Sequence, residues 1–205
     1  MSQAEYVFTA HWFWRTAAVW DQLIPDIRPR KALEIGSFEG ASACYLIDHC
    51  AKEAPFEMHC VDTWEGGVEH KAMGIHMEEV ESRFHANTAL ACERATHPVK
   101  LITHKGFSHL CLAQLLTETQ GEYFDLVYID GSHQAPDVLA DAVLGFQLLA
   151  VGGTMIFDDY LWSKDGRDPL RCPKLAIDSF LNINFQKIDI LAKPLYQLYV
   201  KKISA

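Results

Sequence analysis

The sequence predicts an α/β fold built on a doubly wound, mostly parallel sheet of seven strands. Short, nearly continuous apolar runs recur along the chain, and the clearest is Leu-Val-Tyr-Ile at 126–129. Such runs are typical of strands that are covered on both faces. Segments with helical spacing of apolar residues separate the runs, and this alternation favours right-handed βαβ units. The last two strand-like segments flank a short turn and predict a C-terminal antiparallel hairpin.

The elements follow in chain order. An amphipathic, aromatic-rich helix is predicted from Glu5 to Ile24, because Pro25 and Pro29 follow it. The parallel strands are predicted at 32–36, 57–62, 99–103, 124–130 and 153–158. Helices are predicted at 41–52, 77–93, 107–118, 135–150 and 172–182. The hairpin strands are predicted at 185–191 and 195–201, and we expect 1–205 to form a single domain with 1–29 as a helical segment packed on it.

Composition limits the classes of partner. The formal net charge of −9 weighs against nucleic acid, since DNA-binding proteins set clusters of basic residues against phosphates. No apolar run approaches the ~20 residues of a membrane span. Six scattered cysteines form no C-x-x-C pair, which indicates free thiols and a cytoplasmic protein. Three adjacent aromatics, Trp12 to Trp14, cannot all face one side of a helix, so one is expected to be exposed or covered by a partner, which leaves a homodimer open.

The stretch from Ala32 to Ser42, ALEIGSFEGAS, carries the strongest functional signal. An apolar strand ends at Gly36, and Gly40 directly precedes a helical pattern, so bare backbone N–H groups face an approaching ligand. Glu34 distinguishes this unit from a phosphate cradle, because a carboxylate would repel a phosphate. The spacing E-x-G-x-x-x-G suits a ligand that carries a positive charge.

Polar residues follow the next two strands. Asp62 ends the second strand, where an acid can accept both hydroxyls of a ribose, although an ordinary loop Asp would also fit there. The third strand is followed by Gly-Phe-Ser-His at 106–109, in which Ser108 is the expected N-cap of the next helix.

Three carboxylates follow the fourth and fifth strands. Asp130 comes after one, and Asp158 and Asp159 come after the other, so all three should converge at neighbouring strand ends. Uncompensated carboxylates would repel one another, and a hard divalent cation such as Mg²⁺ prefers oxygen ligands of this kind. The alternative is that one of the last two merely caps the following turn.

Together these motifs resemble the Rossmann-like methyltransferases that use S-adenosylmethionine. The resemblance covers residues 30–162. More specifically, it is to catechol O-methyltransferase and the related small-molecule and antibiotic-sugar O-methyltransferases. It implies methyl transfer from S-adenosylmethionine to a hydroxyl of a small-molecule acceptor, assisted by Mg²⁺ or another divalent cation. The cofactor-binding positions that it implies are Glu34, Gly36, Ser37, Phe38, Gly40, Ser42, Asp62, Thr63, Gly106, Ser108, His109 and Asp130.

The resemblance also assigns the chemistry. Asp130, Asp158 and Asp159 fall on the family's three metal ligands, and His133 lies where the catechol enzyme has its general-base lysine. The third ligand is an amide in the catechol enzyme, and Asp159 instead resembles the sugar-modifying relatives. Ser132 replaces the aromatic residue that stacks on adenine, which leaves the adenine contacts and the acceptor open.

Several alternatives remain at this point. The chain could be a metal-independent methyltransferase acting on oxygen or nitrogen, or a non-catalytic S-adenosylmethionine-binding protein. A neutral imidazole suits proton removal near neutral pH, but His133 could also be a loop histidine held by a carboxylate. The glycine-rich stretch 65–77 is either a lid or a long loop, and the aromatic clusters 12–14 and 160–162 are candidates for the acceptor wall.

Overall fold

The computed structural model, which describes residues 5–163 and 168–205, contains a seven-stranded sheet in the order β3-β2-β1-β4-β5-β7-β6. The first five strands are parallel, and β7 runs antiparallel to both β5 and β6. The predicted fold class is therefore confirmed. The strands are β1 (Lys31–Ile35), β2 (Phe56–Asp62), β3 (Val99–Lys105), β4 (Phe124–Ile129), β5 (Leu149–Phe157), β6 (Ile188–Ile190) and β7 (Leu198–Lys202).

Helices cover both faces of this sheet. Most lie within a few residues of their predicted positions, but the short α3 falls in the stretch 65–77, for which no helix was predicted. Two 3₁₀ turns, Phe13–Arg15 and Pro169–Arg171, complete the regular structure. The helices are α1 (Ala17–Ile27), α2 (Ala41–Cys50), α3 (Val68–Ala72), α4 (Met77–Arg94), α5 (Ser108–Thr119), α6 (Ala135–Leu148) and α7 (Pro173–Ile183).

The helix predicted from Glu5 to Ile24 is wrong in its first half. Residues 5–12 contain no helix, and we call 5–16 the N-terminal segment. Side chains from remote elements bind its backbone instead: Val7 N donates to Asn87 Oδ1 (2.8 Å), and Asn87 Nδ2 donates to Val7 O (3.0 Å). Pro25 lies inside α1, in its last turn, where the missing N–H costs only one hydrogen bond of the helix.

Alternate residues of β4 enter two separate cores. Leu126 and Tyr128 pack with α1, α2 and α4 on one face, whereas Val127 and Ile129 pack with α5, α6 and α7 on the other. Because successive side chains of a strand point to opposite faces, a strand buried on both sides must be apolar throughout. This explains the continuous apolar run in the sequence and fixes the carboxyl end of β4 rigidly between the two layers.

Two further observations bear on the predicted environment. All six cysteines lie within the described ranges as free thiols, and Cys44, Cys50 and Cys60 are buried. No helix among the described residues combines the length and apolar character needed to cross a bilayer.

Candidate active site

A cavity of about 860 Å³ opens at the carboxyl edge of the sheet. The loops after β1, β2, β3, β4 and β5 line it, as expected for an open α/β sheet. The rest of its wall comes from the N-terminal segment, from residues 66–77, which include α3, from the first half of α6, and from Tyr196. Of the residues predicted to bind cofactor, metal or a proton, those that line the cavity are Gly36, Ser37, Phe38, Ser42, Asp62, Thr63, Gly106, Ser108, His109, Asp130, His133, Asp158 and Asp159.

The loop after β1 approaches the end of β4 so closely that only glycine fits. Gly36 has a φ of +87°, and a Cβ built on it would lie 2.1 Å from the backbone oxygen of Asp130. Phe38 also has a positive φ, +48°, which for a non-glycine residue costs roughly 1–3 kcal/mol and is typical of functional loops. The Phe38 ring stacks on His70 of α3 (5.1 Å between ring centroids) and contacts Trp12 (5.2 Å).

Glu34 and Gly40 lie behind this loop and do not line the cavity. Glu34 is fully buried, and the Ser42 hydroxyl donates a hydrogen bond to its Oε1. Its Oε2 has no hydrogen-bond partner within the described part of the chain, and burial raises the pKa of this carboxyl to about 7. A Cβ on Gly40 would lie 3.0 Å from the Phe84 ring, so this glycine lets α2 pack against α4. Both residues support the loop from beneath.

Asp62 ties the ends of β1 and β2 together. Its Oδ2 accepts from Ser37 N (2.9 Å) and Phe38 N (3.0 Å), and its Oδ1 accepts from Trp64 N (2.8 Å). Because each carboxylate oxygen has two lone pairs, three of the four are occupied, and Oδ1 can still accept one ligand hydroxyl. The backbone N–H of Gly106 donates to Asp62 O (2.9 Å), which places the turn after β3 at the same end.

The expected N-cap role of Ser108 is wrong. The helix α5 begins at Ser108 itself, and Phe107 occupies the cap position, where its side chain offers no acceptor. Phe107 has the extended backbone conformation of a cap residue, so the chain turns one residue earlier than the sequence preference predicts.

Two of the three predicted metal ligands, Asp130 and Asp158, meet at the Tyr128 hydroxyl. This hydroxyl lies 2.9 Å from Asp130 Oδ2 and 2.5 Å from Asp158 Oδ2. Burial and then the charges of Asp158 and Asp159 raise the pKa of Asp130 well above its usual range. Burial and then the Asp159 charge raise the pKa of Asp158. The cluster thus concentrates negative charge in a poorly solvated place.

Asp159 holds His133 in the cavity wall. His133 Nε2 lies 2.8 Å from Asp159 Oδ2, and the Tyr196 hydroxyl donates to Asp159 Oδ1 (2.9 Å). The imidazole also packs on Trp162, with ring centroids 4.0 Å apart. Asp159 itself has a φ of +55°, a strained conformation for a non-glycine residue. The imidazole is therefore oriented by a carboxylate, an arrangement compatible with either role predicted for it.

The three carboxylates suit a hard cation, although in this structure their oxygens contact the side chains of Tyr128, His133 and Tyr196. Within 5–163 and 168–205, no three His, Cys, Asp or Glu side chains lie in an arrangement that could hold a metal ion. A recess of about 10 Å³, room for about one water-sized species, is nevertheless lined by Asp130, Asp158 and Asp159. Three carboxylates around such a recess match the preference of Mg²⁺ for oxygen ligands, once the tyrosine and histidine contacts are exchanged.

Tyr196 is not among the site residues predicted from the sequence, although the position of the C-terminal hairpin indicates where it lies. Because β7 is antiparallel to β5, with Leu198 opposite Phe157, the residues just before β7 lie at the same edge as Asp158 and Asp159. The sequence prediction placed Tyr196 inside a hairpin strand at 195–201, but β7 begins at Leu198, so Tyr196 lies in the loop before it. The sequence does not indicate a role for the Tyr128 hydroxyl either, because Tyr128 lies within the apolar run that predicts a buried strand.

Comparison with known proteins identifies the family. The family described as "Methyltransferase domain" matches residues 33–160, from β1 through the acidic residues after β5. The chain belongs to this family. Among curated proteins, this methyltransferase domain is 27% identical over 138 residues to an uncharacterized protein, y4gI, of Sinorhizobium fredii (strain NBRC 101917 / NGR234). The match covers 67% of this chain but only 14% of that relative, so the chain spans about a seventh of its length.

Solved structures share the fold of this methyltransferase domain. An O-methyltransferase from Bacillus cereus in complex with SAH has a TM-score of 0.62 at 16% identity, with 98% of this chain and 84% of that chain covered. The O-methyltransferase TomG from Streptomyces achromogenes in complex with SAM has a TM-score of 0.63 at 15% identity, with coverages of 97% and 82%. MycE of the mycinamycin pathway, in complex with Mg and SAH, has a TM-score of 0.62 at 16% identity, covering 96% and 51%.

Proposed function

We propose that this methyltransferase domain transfers the methyl group of S-adenosylmethionine to a hydroxyl oxygen of a small-molecule acceptor. The observation that carries the proposal is one cavity of about 860 Å³ with two chemically different ends. One end has the glycine loop and Asp62, and the other has the carboxylates and His133. The Bacillus cereus and Streptomyces enzymes of the same fold were solved with SAH and SAM, which supports this choice of cofactor.

The cofactor fills the first end. We assign a ribose hydroxyl to Asp62, whose Oδ1 keeps one lone pair, and the adenine to the turn at 106–109, because both line the cavity. The methionine moiety lies against Gly36, Ser37, Phe38 and Ser42. The acidic residues beyond it favour a ligand with a cationic sulfonium and amino group, since opposite charges attract across a poorly solvated cavity.

The acceptor hydroxyl lies at the second end. Its oxygen attacks the methyl carbon as the bond to sulfur breaks, so catalysis depends on alignment and on removal of the hydroxyl proton. His133 takes that proton, and the imidazolium that forms is stabilised by Asp159, 2.8 Å from Nε2. Trp162 packs on the ring and holds it in place.

We propose that Asp130, Asp158 and Asp159 hold a divalent cation such as Mg²⁺. When bound there, the cation would orient the acceptor hydroxyl and lower its pKa. The recess among the three carboxylates supports this, as does the Mg in the MycE structure. Because each carboxylate oxygen has two lone pairs, the three residues could coordinate while sharing or exchanging their contacts with Tyr128, His133 and Tyr196.

The His133–Asp159 contact favours a second candidate, a metal-independent O-methyltransferase. In that enzyme Asp159 serves only to orient His133 and to stabilise its protonated form. The two candidates thus give Asp159 different roles. A chelator should abolish the activity of the metal-dependent enzyme and leave that of the metal-independent enzyme unchanged.

Calorimetric titration with S-adenosylmethionine, followed by an acceptor screen with excess Mg²⁺ or excess chelator, decides between them. We expect Asp158→Asn to lose turnover while its affinity for the cofactor stays close to that of the wild type. Full activity in chelator would refute the cation and favour the second candidate. Failure to bind S-adenosylmethionine at all would overturn the proposed function.

Replacing His133 with Ala tests the general base. We expect kcat to fall by about 10²–10⁴-fold, with little change in cofactor affinity, because only the proton transfer is lost. The wild-type pH–rate profile should rise near a histidine pKa, and the variant should lose that limb. His97→Ala is the control, since His97 precedes β3 at the opposite edge of the sheet. An unchanged profile in the His133 variant would make this residue structural.

A further inference from the structure

Arg15 is held in the cavity wall by a turn that is anchored in the core. It ends the 3₁₀ turn Phe13–Arg15, which repeats every three residues, so Trp12 and Arg15 lie on one face. Both line the cavity. The Phe13 ring between them is buried against Trp20, with centroids 5.0 Å apart. The Thr16 hydroxyl donates to Phe13 O (2.9 Å) and closes the turn.

The Arg15 guanidinium is available to a ligand. Among the described residues its side chain makes no hydrogen bond or ion pair, in contrast to Arg83, whose Nε lies 2.6 Å from Glu39. Arg15 and Tyr196 line the same cavity, Arg15 from the N-terminal segment and Tyr196 from the loop before β7. Both Asp159 oxygens already accept hydrogen bonds, from His133 and Tyr196.

The distribution of charge in the cavity gives an acceptor only one favourable orientation if it carries an acid group. Asp130, Asp158 and Asp159 together carry more negative charge than one divalent cation neutralises, so a carboxylate is disfavoured at the proton-accepting end with or without the proposed metal. Arg15 attracts it, because the planar guanidinium binds a carboxylate through two parallel hydrogen bonds. A hydroxyl facing His133 and a carboxylate facing Arg15 therefore orient the molecule.

The walls beside Arg15 are aromatic. Trp12 is 48% exposed although its ring contacts Phe38, so one side of it is free to pack on a ligand. Trp162 lies on His133 at the other end of the same space. Flat aromatic surfaces of this kind favour a planar ring between them.

We propose that the acceptor is an aromatic hydroxy acid and that Arg15 binds its carboxylate. The inference rests on the proposed function and deepens it by naming the class of substrate. Arg15 is then the residue that separates acids from neutral phenols of the same shape.

The test is direct binding to the SAH-loaded protein by calorimetry. The probes are hydroxybenzoate, hydroxyphenylacetate and hydroxycinnamate, each paired with its neutral amide. We expect at least one acid to bind about 10-fold or more tightly than its amide, an energy within the range of a charge-assisted hydrogen bond. Arg15→Gln should abolish that difference and leave SAH affinity unchanged. Lys71→Gln, which removes an exposed cation lining the cavity beside His70, should keep it.

Each other outcome overturns the proposal. Equal binding of acid and amide by the wild type, or no binding of either, would exclude an acid acceptor. Weaker SAH binding by Arg15→Gln with an unchanged acid preference would assign the arginine to the carboxylate of the cofactor. Absence of SAH binding by the wild type would overturn the proposed function and this inference with it. Arg15 is exposed, and the circular dichroism of the variant verifies that it folds.

Discussion

Glu34 is a fully buried carboxyl beneath the cofactor loop, and its pKa of about 7 makes the stability of the fold depend on pH. In the unfolded chain this group titrates near 4.5, so between pH 4.5 and 7 the folded state binds more protons. Stability is therefore greatest at the acid end of that window and decreases as pH rises through it. The loss of stability over this window amounts to roughly 3 kcal/mol and is complete above pH 7.

We predict that Glu34→Gln removes this dependence. The amide is neutral at every pH and can still accept from the Ser42 hydroxyl. Urea unfolding at pH 5 and pH 8 should show a larger loss of stability for the wild type than for the variant, by about 2–3 kcal/mol. Glu93→Gln, a change at an exposed position, should behave like the wild type. Parallel curves for Glu34→Gln and the wild type would contradict the prediction.

At the scale of elements, the close approach of β1 and β4 requires Gly36. Gly152 provides a matched comparison, because it has the same φ of +87° but nothing within 4 Å of its missing Cβ. We predict that Gly152→Ala costs about 1–2 kcal/mol, the strain of a left-handed residue alone. Gly36→Ala should cost several kcal/mol more, since its Cβ would overlap the Asp130 backbone.

Thermal unfolding of the two glycine variants, followed by circular dichroism, measures the difference. S-adenosylmethionine affinity should also fall in Gly36→Ala if the variant folds, because the loop must move away from Asp130. Equal melting temperatures for the two variants would show that the strand ends can separate at no cost.

The elements that the sequence predicted well are those whose pattern reflects two-sided burial. Leu126 to Ile129 alternates between two cores, so an apolar run without breaks is diagnostic of that position. Asp130, Asp158 and Asp159 could be placed at one edge because each follows a parallel strand directly. The N-terminal segment could not, because its backbone partners are the side chains of Glu39 and Asn87, 30 and 80 residues away.

Across the whole molecule, both ends of the described chain close over one cavity. Arg15 comes from the N-terminal segment and Tyr196 from the loop before β7. The N-terminal segment is held by Asn87 of α4, which bonds both the N–H and the C=O of Val7 and also donates to Glu39 O (3.0 Å). The Asn87 side chain thus satisfies the backbone of Val7 in the way that a neighbouring strand would.

We predict that Asn87→Asp detaches this segment. The variant has nearly the same shape, but it replaces an NH₂ donor with an oxygen that faces two carbonyl oxygens, at a position only 2% exposed. The loss of stability should be about 2–4 kcal/mol, since two acceptors lose their donor and one of them, Glu39 O, is buried. SAH affinity should fall as well. Asn182→Asp, an exposed change on α7, should alter neither, and unchanged SAH affinity in Asn87→Asp would show that the segment does not cover the cofactor.

Two backbone amides of the N-terminal segment can be used to follow the opening of this part of the cavity wall. The amides of Val7 and Thr9 lie outside any helix or strand, and their acceptors are the side chains of Asn87 and Glu39. In native-state hydrogen exchange such a segment opens without unfolding the sheet, so the protection of these two amides reports the fraction of time for which the segment is open. Exchange measured on two backbone amides, with no substrate present, would therefore give the free energy that keeps this part of the cavity wall closed.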